Sequence, residues 1–358
     1  MTHYILRRSL QSLFLLWLST LLSFAIYQAA PGGPLLFLER SLSNGAAGGG
    51  KSAVTTAATM QQLTRLHGLD RSLPIQYVAW LAGEDWLPDT VAWRSGRCLL
   101  DNEDCSRGLL RLDFGRSFFF KGERVADVIV ERILATALLG FSSFLVVLLI
   151  GLPLGILSAL WRGTWFDTGM RIFTVLASTM PDWWLGLLLL IILGGYLDLV
   201  PLGGMGEIGD NSWQDRLHHL LLPAIVAATG GWIGVSRIVR FSILDVLGQD
   251  FVRTARAKGL PGRTLMMRHV LRNALLPFVT GLSGVFLLII DGAVLFELVF
   301  AWPGMGRLAI IALQNRDYPV MMALLTIGSF LGILGVLLVD ILYGIVDPRI
   351  KYTPQGIK

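Results

Sequence analysis

The chain has 358 residues, of which 54% are hydrophobic and only 15% charged, and its mean hydropathy is +0.63. A soluble domain carries about 25% charged residues, so this composition excludes a water-soluble globular fold and makes the bilayer the solvent. The net charge of +5 does not imply a nucleic acid partner, because the basic residues gather in particular connections, where they orient membrane helices.

The first apolar run covers residues 9–29 and follows Arg7 and Arg8. Signal-peptide cores are about 7–15 residues long, so this longer run reads as an uncleaved spanning helix. Next comes a segment of about 100 residues, 31–132, too long for a structureless loop. Met60, Leu63 and Leu66 recur at helical spacing, with Gly68 as a stop, and Pro74 opens a second helix containing Tyr77, Val78 and Leu81. Residues 43–53 form a Gly/Ala/Ser-rich flexible patch. Within it, GAAGGGKS (45–52) matches the phosphate-binding pattern G-x-x-x-x-G-K-[ST]. That loop works only between a buried strand and a helix. Here Glu39-Arg40-Ser41-Leu42-Ser43-Asn44 precedes it, so Lys51 is not expected to hold a nucleotide. Cys98 and Cys105 are the only cysteines. They are a candidate disulfide, worth roughly 2.5 kcal/mol on the chain-entropy account; two unpaired thiols are the alternative, and no metal site is expected there.

Five further runs follow, at 133–160, 170–197, 217–239, 274–300 and 319–346, for an expected total of six spans. Between Arg237 and Arg272 lie eight basic residues (237, 240, 253, 256, 258, 263, 268 and 272) against Asp245 and Asp250. The connection 196–217 instead carries Asp198, Glu207, Asp210 and Asp215 against Arg216. The positive-inside rule makes the basic connection cytoplasmic. Both termini, including the tail 347–358 with Lys351 and Lys358, fall on that side, and 31–132 becomes an external subdomain. The expected fold is an all-α polytopic membrane protein: a first span at 9–29, the external subdomain 31–132, and a core at 133–346 containing the basic loop at about 245–275. Forty glycines suit such a core, since small residues let membrane helices approach closely.

The basic loop reads QDFVRTARAKGLPGRTLMMRHVLRNALLP, residues 249–277. Ala255 and Ala257 favour helix, Gly259 suits a left-handed stop, and Pro261 is tolerated in the first turn of the next helix. Two short basic helices between spans are shaped to dock in a groove on a partner; orientation by the inside rule or attraction to anionic lipid are the plainer readings.

TARAKG, with Thr254, Ala255 and Gly259, resembles the cytoplasmic signature loop of permeases of ATP-binding-cassette importers. Where Glu-Ala-Ala is common before the glycine, Arg253-Thr254-Ala255 stands here, and the distance from Gly259 to Pro277 is long; both are features of the peptide and nickel branch. Six more stretches resemble that branch in order: Ala30-Pro31-Gly32-Gly33-Pro34, GLDRSLPIQYVAWL (68–81), LDFGRSF (112–118), PDWWLG (181–186), ELVFAWPGMGRL (297–308) and NRDYPV (315–320), with DILYGIVDPRI (340–350) closing the series. The stretch 86–107 has no counterpart in the pattern and reads as an insertion.

The resemblance implies a transport subunit without catalytic residues, cofactor or metal, in the bacterial inner (plasma) membrane. Its implied partners are a second homologous permease, two cytoplasmic ATPase subunits that hydrolyse ATP, an external solute-binding protein, the lipid bilayer and a peptide substrate. Nickel, glutathione or a peptide-like compound are alternative cargoes. The coupling residues it implies are Arg253, Thr254, Ala255, Ala257, Gly259 and Arg268.

Other groups admit more than one use. Asp291 lies within the fifth run, where charge is costly, and is a pathway candidate as well as a structural one. Glu297 and Asp340 read as structurally partnered. Trp165, Trp183, Trp184 and Trp302 read as interfacial anchors. His218 and His219 are not expected to bind metal. An ion-coupled secondary transporter is the main competing class; it would have discontinuous helices around an ion site at the midplane. A membrane enzyme would show HExxH or GxSxG, and neither is present in the sequence.

Overall fold

A computed structural model describes residues 2–29, 64, 70–83, 107–120, 123–207, 209, 212–275, 278 and 294–346; within these, the side chains of 2–5 and 339–346 are not characterised. The GAAGGGKS patch, the helix expected around Met60 to Leu66, Cys98, Cys105, Asp291, Pro277, most of 86–107 and the tail 347–358 lie outside the described residues, as does the side chain of Asp340. Among the described residues the fold is all helical, without a strand; an isolated bridge joins Arg116 and Arg124.

In chain order the helices are α1 (Thr2–Ala29), α2 (Leu73–Ala82), α3 (Val125–Leu160), α4 (Trp165–Ala177), α5 (Asp182–Tyr196), α6 (Trp213–Ala227), α7 (Thr229–Leu247) and α8 (Asp250–Ala257). They continue as α9 (262–274), α10 (Val294–Val299), α11 (Met305–Asn315) and α12 (Tyr318–Val346). By length and composition, Leu6–Ala29, Val125–Leu160 and Tyr318–Leu338 are each able to cross a membrane. The runs expected as the third and fourth spans are bent pairs. Helices α4 and α5 meet at 94° and α6 and α7 at 51°, which makes up to five spans among the described residues. The sequence gives the reasons. Ser178 to Pro181 interrupts the first pair, since proline has no N–H to continue a ladder. Gly230 and Gly231 follow the second break, at Ala228.

Two compact units emerge, one around Leu134–Arg307 and one around Arg7–Ile133 with Leu308–Ile333. In the first, α3 lies against α7 along Gly151, Gly155 and Ala159. A Cβ added at Gly155 would sit 2.7 Å from the Ser236 carbonyl oxygen, and one at Gly151 would sit 3.0 Å from that of Trp232. Glycine at four-residue spacing thus lets the two backbones approach, the arrangement expected where lipid supplies no hydrophobic drive between helices. A π-helical turn, Val147–Gly151, precedes the contact.

In the second unit, α2 forms where Pro74 places it and lies against α1. The Thr20 and Tyr77 hydroxyls are 2.9 Å apart, Gln28 donates to Gln76 at 2.8 Å, and Phe24 meets Tyr77 edge-on at 5.4 Å. Asp317, fully buried, gathers the turn 117–119: it accepts the Ser117 hydroxyl at 2.5 Å and the Phe118 and Phe119 N–H groups at 3.2 and 3.1 Å. The LDFGRSF and NRDYPV stretches are therefore assembled around one carboxylate.

Candidate functional site

Helix α8 begins after Gln249, whose backbone is extended, and Asp250 supplies a negative charge in its first turn. Its apolar residues are few but aligned. Val252 and Ala255, three apart, are 1% and 9% exposed, while Arg253, Thr254, Arg256, Ala257 and Lys258 face outward. The Thr254 hydroxyl bonds back to the Asp250 carbonyl at 3.0 Å. Gly259 ends the helix with φ +77°, a conformation costly for any residue with a Cβ. Pro261 then leads into α9, which contains a π-helical stretch at Leu265–Val270.

This pair of short helices is seated by one apolar core. Val252, Ala255, Leu265, Val270, Leu271 and Ala274 join Val239, Ile243 and Val246 of α7 and Ala159 of α3. Of the coupling candidates, Arg253, Thr254, Ala257, Gly259 and Arg268 are exposed, whereas Ala255 lies in the core. Ala255 thus contributes packing from beneath the helix rather than a surface contact. Beside them runs a groove of about 590 Å³ lined by Leu247, Leu260, Met266 and Met267, with Arg256 and Arg263. The exposed cations make little use of one another's neighbours: Arg253 and Asp250 form a 3.7 Å ion pair at 76% and 96% side-chain exposure, which is worth little in water.

Two of the eight basic residues counted in this region behave otherwise. Arg240 makes a bidentate pair with Asp167 of α4, with Nε–Oδ1 at 2.7 Å and Nη2–Oδ2 at 2.8 Å, and Asp167 is 1% exposed. Asp167 also accepts the Gly163 N–H at 3.1 Å. Arg237 donates to the Thr174 carbonyl and, at 2.9 Å, to the Ser178 hydroxyl. Both arginines therefore reach from α7 to α4, one near its start and one at its end. Counting charge by sequence had placed them with the surface cations. An Asp 73 residues upstream of Arg240 gives no local signal of the pairing.

A third polar centre is buried. Glu297, fully inaccessible, accepts the Thr136 hydroxyl at 2.7 Å and the Arg307 N–H at 2.8 Å, while Thr136 accepts the Met305 N–H at 2.8 Å. Glu297 and Thr136 together satisfy donors in the first turn of α11, the groups a helix cannot satisfy itself. This is the structural partnership expected of Glu297. Trp302 corrects its expectation. It is fully buried and its indole N–H donates to the Ala135 carbonyl at 2.8 Å, so it is a core residue and not an interfacial anchor. An indole suits either setting, since both give its apolar rings cover and its N–H a partner. Trp165, at 87% exposure, and Trp183 and Trp184, at 39% each, lie at the surface. His219 is buried, with its Nδ1 3.0 Å from both the Asp215 carbonyl and carboxylate oxygens, and His218 contacts the Leu199 carbonyl.

Comparison with known proteins places this arrangement. The family model described as "Binding-protein-dependent transport system inner membrane component" matches residues 151–352. The chain is similar to the oligopeptide transport system permease protein AppB of Bacillus subtilis (strain 168), 36% identical over 98% of this chain and 100% of that protein. It is also similar to the dipeptide transport system permease protein DppB of Escherichia coli (strain K12), 32% identical over 93% of this chain and 94% of that one. Among solved structures, the MetNI methionine ABC transporter in an inward-facing conformation aligns with a TM-score of 0.48 and 17% identity, over 62% of this chain and 96% of the other.

Proposed function

We propose a function from one premise: the chain belongs to the family of binding-protein-dependent transport system inner membrane components. It is the permease component of an ATP-binding-cassette importer, a multi-pass protein of the bacterial inner membrane, and is not itself an enzyme. Membership implies an ATPase and a substrate-binding protein as working partners. We infer di- or oligopeptides as the cargo, supported by relatives named for oligopeptide and dipeptide transport.

The finer reading is ours. Six crossings are made by the three long helices, the two bent pairs and the segment 274–300. Both termini and the loop at about 245–275 are cytoplasmic, and 31–132 is an external subdomain with its insertion at 86–107. A second homologous permease completes the pathway, two ATPase subunits sit on the cytoplasmic side, and the solute-binding protein delivers peptide from outside. Arg253, Thr254, Ala257, Gly259 and Arg268 form the surface that enters the ATPase, and Ala255 holds that surface on its core.

One observation carries this reading: α8 and α9 bury their apolar faces against α7 and turn exposed cations outward. A connection built this way is rigid enough to transmit displacement and has polar groups left over for a partner. Movement of the docked ATPases on binding ATP would then reach the helices through that core.

Purification of the tagged chain from its own membrane tests the assembly. ATPase subunits and a second permease are expected to accompany it, and the reconstituted complex should take up peptide only with ATP on the ATPase side. Uptake by this chain alone, driven by an ion gradient, would overturn the reading. Gly259→Val should leave insertion and ATP hydrolysis in place while uptake falls about tenfold or more; normal transport by that variant would remove the loop from the coupling path.

A further inference from the structure

The exterior and interior of α4 are reversed relative to a core helix. Its buried positions are Asp167 and Thr174, two turns apart on one face. Its other faces carry Ile172, Phe173, Val175 and Leu176, each at least 53% exposed. Aromatic contacts flank it: Phe173 stacks on Trp232 at 6.1 Å and Phe166 meets Trp161 at 5.1 Å. What crosses its buried face, however, is the pair of arginines from α7. Arg240 grips Asp167 with two parallel N–H donors, and such a fork fixes orientation as well as distance. Arg237 binds the Thr174 carbonyl and the Ser178 hydroxyl, at the end of α4, adding a donor to a carbonyl that already accepts the Ser178 N–H.

The second half of the bent pair is tied to the same helix. Asp182, at the start of α5, lies against Gly230 near the start of α7, where an added Cβ would sit 2.8 Å from its Oδ2. A carboxylate there also complements the positive end of the α7 dipole. The bend between α4 and α5 is therefore contacted on both sides by one helix. The other end of that helix, through Val239, Ile243 and Val246, shares its core with Val252 and Ala255 of α8.

We propose that Arg237 and Arg240 are positioning residues for transport. They lock α4 to α7, so that a displacement of α8 is delivered to the α4–α5 bend instead of being lost between two sliding helices. This rests on the reading of 250–274 as the ATPase-docking surface. The apolar cores seat α8 on α7, and the arginines extend that rigid body to the bend. Lysine cannot substitute at Arg240, because a point charge does not reproduce the two-bond fork.

The ratio of peptide moved to ATP hydrolysed, measured on reconstituted complexes of verified composition, tests the proposal. Arg240→Lys is expected to retain its ATPase subunits and hydrolyse ATP, while transport per ATP falls about tenfold. Arg237→Gln serves as the second variant, because the Thr174 carbonyl keeps the Ser178 N–H and hydroxyl as donors and the fold survives its loss. A smaller fall in the same ratio, about threefold, is expected. If both variants lower only the yield of complex and leave transport per ATP at the wild-type value, the arginines are structural and the proposal is overturned. Failure of the wild-type chain to retain any ATPase is a separate result, which would sink the docking reading and this inference together.

Discussion

Arginines of α7 and arginines of the α8–α9 connection occupy one stretch of sequence and do opposite things. Arg240 turns inward onto a carboxylate that is 1% exposed, and Arg237 closes the end of a helix. Arg256, Arg263 and Arg268 stand on a surface whose other side is apolar core. The difference lies in what each side chain meets. Along α7, a neighbouring helix with Asp167 and the Thr174 carbonyl is within reach. Beyond Gly248 the chain leaves that neighbour, and Arg253, Arg256, Arg263 and Arg268 stand exposed. Inward arginines set the geometry of this molecule, and outward ones are available to another.

The strongest way to break this comparison is Arg240→Ala. It leaves buried Asp167 with only the half-exposed Arg171, 4.0 Å away, where a buried pair that loses one member costs about 3–5 kcal/mol. It should appear as a clear fall in the melting temperature of the detergent-solubilised protein; an unchanged melting temperature would put Arg240 with the surface group. Ala255→Leu should follow, at about 1–3 kcal/mol, because it adds volume to a filled core beneath α8. Thermal unfolding together with retention of the ATPase would report it. Smallest are Arg256→Ala and Lys258→Ala, expected within about 0.5 kcal/mol in stability. Their effect should appear instead as weaker ATPase retention as salt is raised. A large stability loss from either would show an inward role.

Much of the local structure of the proposed coupling surface was legible in the sequence. Ala255 and Ala257 favour a short helix, and Gly259 and Pro261 mark where it stops and the next begins. Helix α2 was legible from Pro74 for the same reason: caps and breakers act through their own backbone. The bent pairs were less so. Pro181, Gly230 and Gly231 are visible as interruptions, but a hydropathy window averages across them and returns a straight span. Discontinuous helices around a midplane ion site were the mark set for a secondary transporter, and bent pairs in an importer permease leave only the ion site as a discriminator. Trp302 was misplaced because hydropathy does not distinguish an indole at a membrane surface from one buried with its N–H on a distant carbonyl.

Two carboxylates carry the remaining lesson. Glu297 and Asp317 are both fully buried and both held by a hydroxyl and backbone N–H groups. Each lies in a stretch that the family resemblance had marked, yet the partners, Thr136 and Ser117, are 161 and 200 residues away. By itself the sequence determined the solvent, the helical class, the runs that can cross a bilayer, the short helix α8 and the stop at Gly259. Those follow from local periodicity, length and backbone preference, which neighbouring residues express wherever the chain goes. Only the tertiary structure decided that Arg240 belongs to Asp167, that Trp302 is core, and that α4 and α7 are joined through charge. Those depend on which helices meet, and a buried polar group is satisfied by whatever donor or acceptor the fold brings to it.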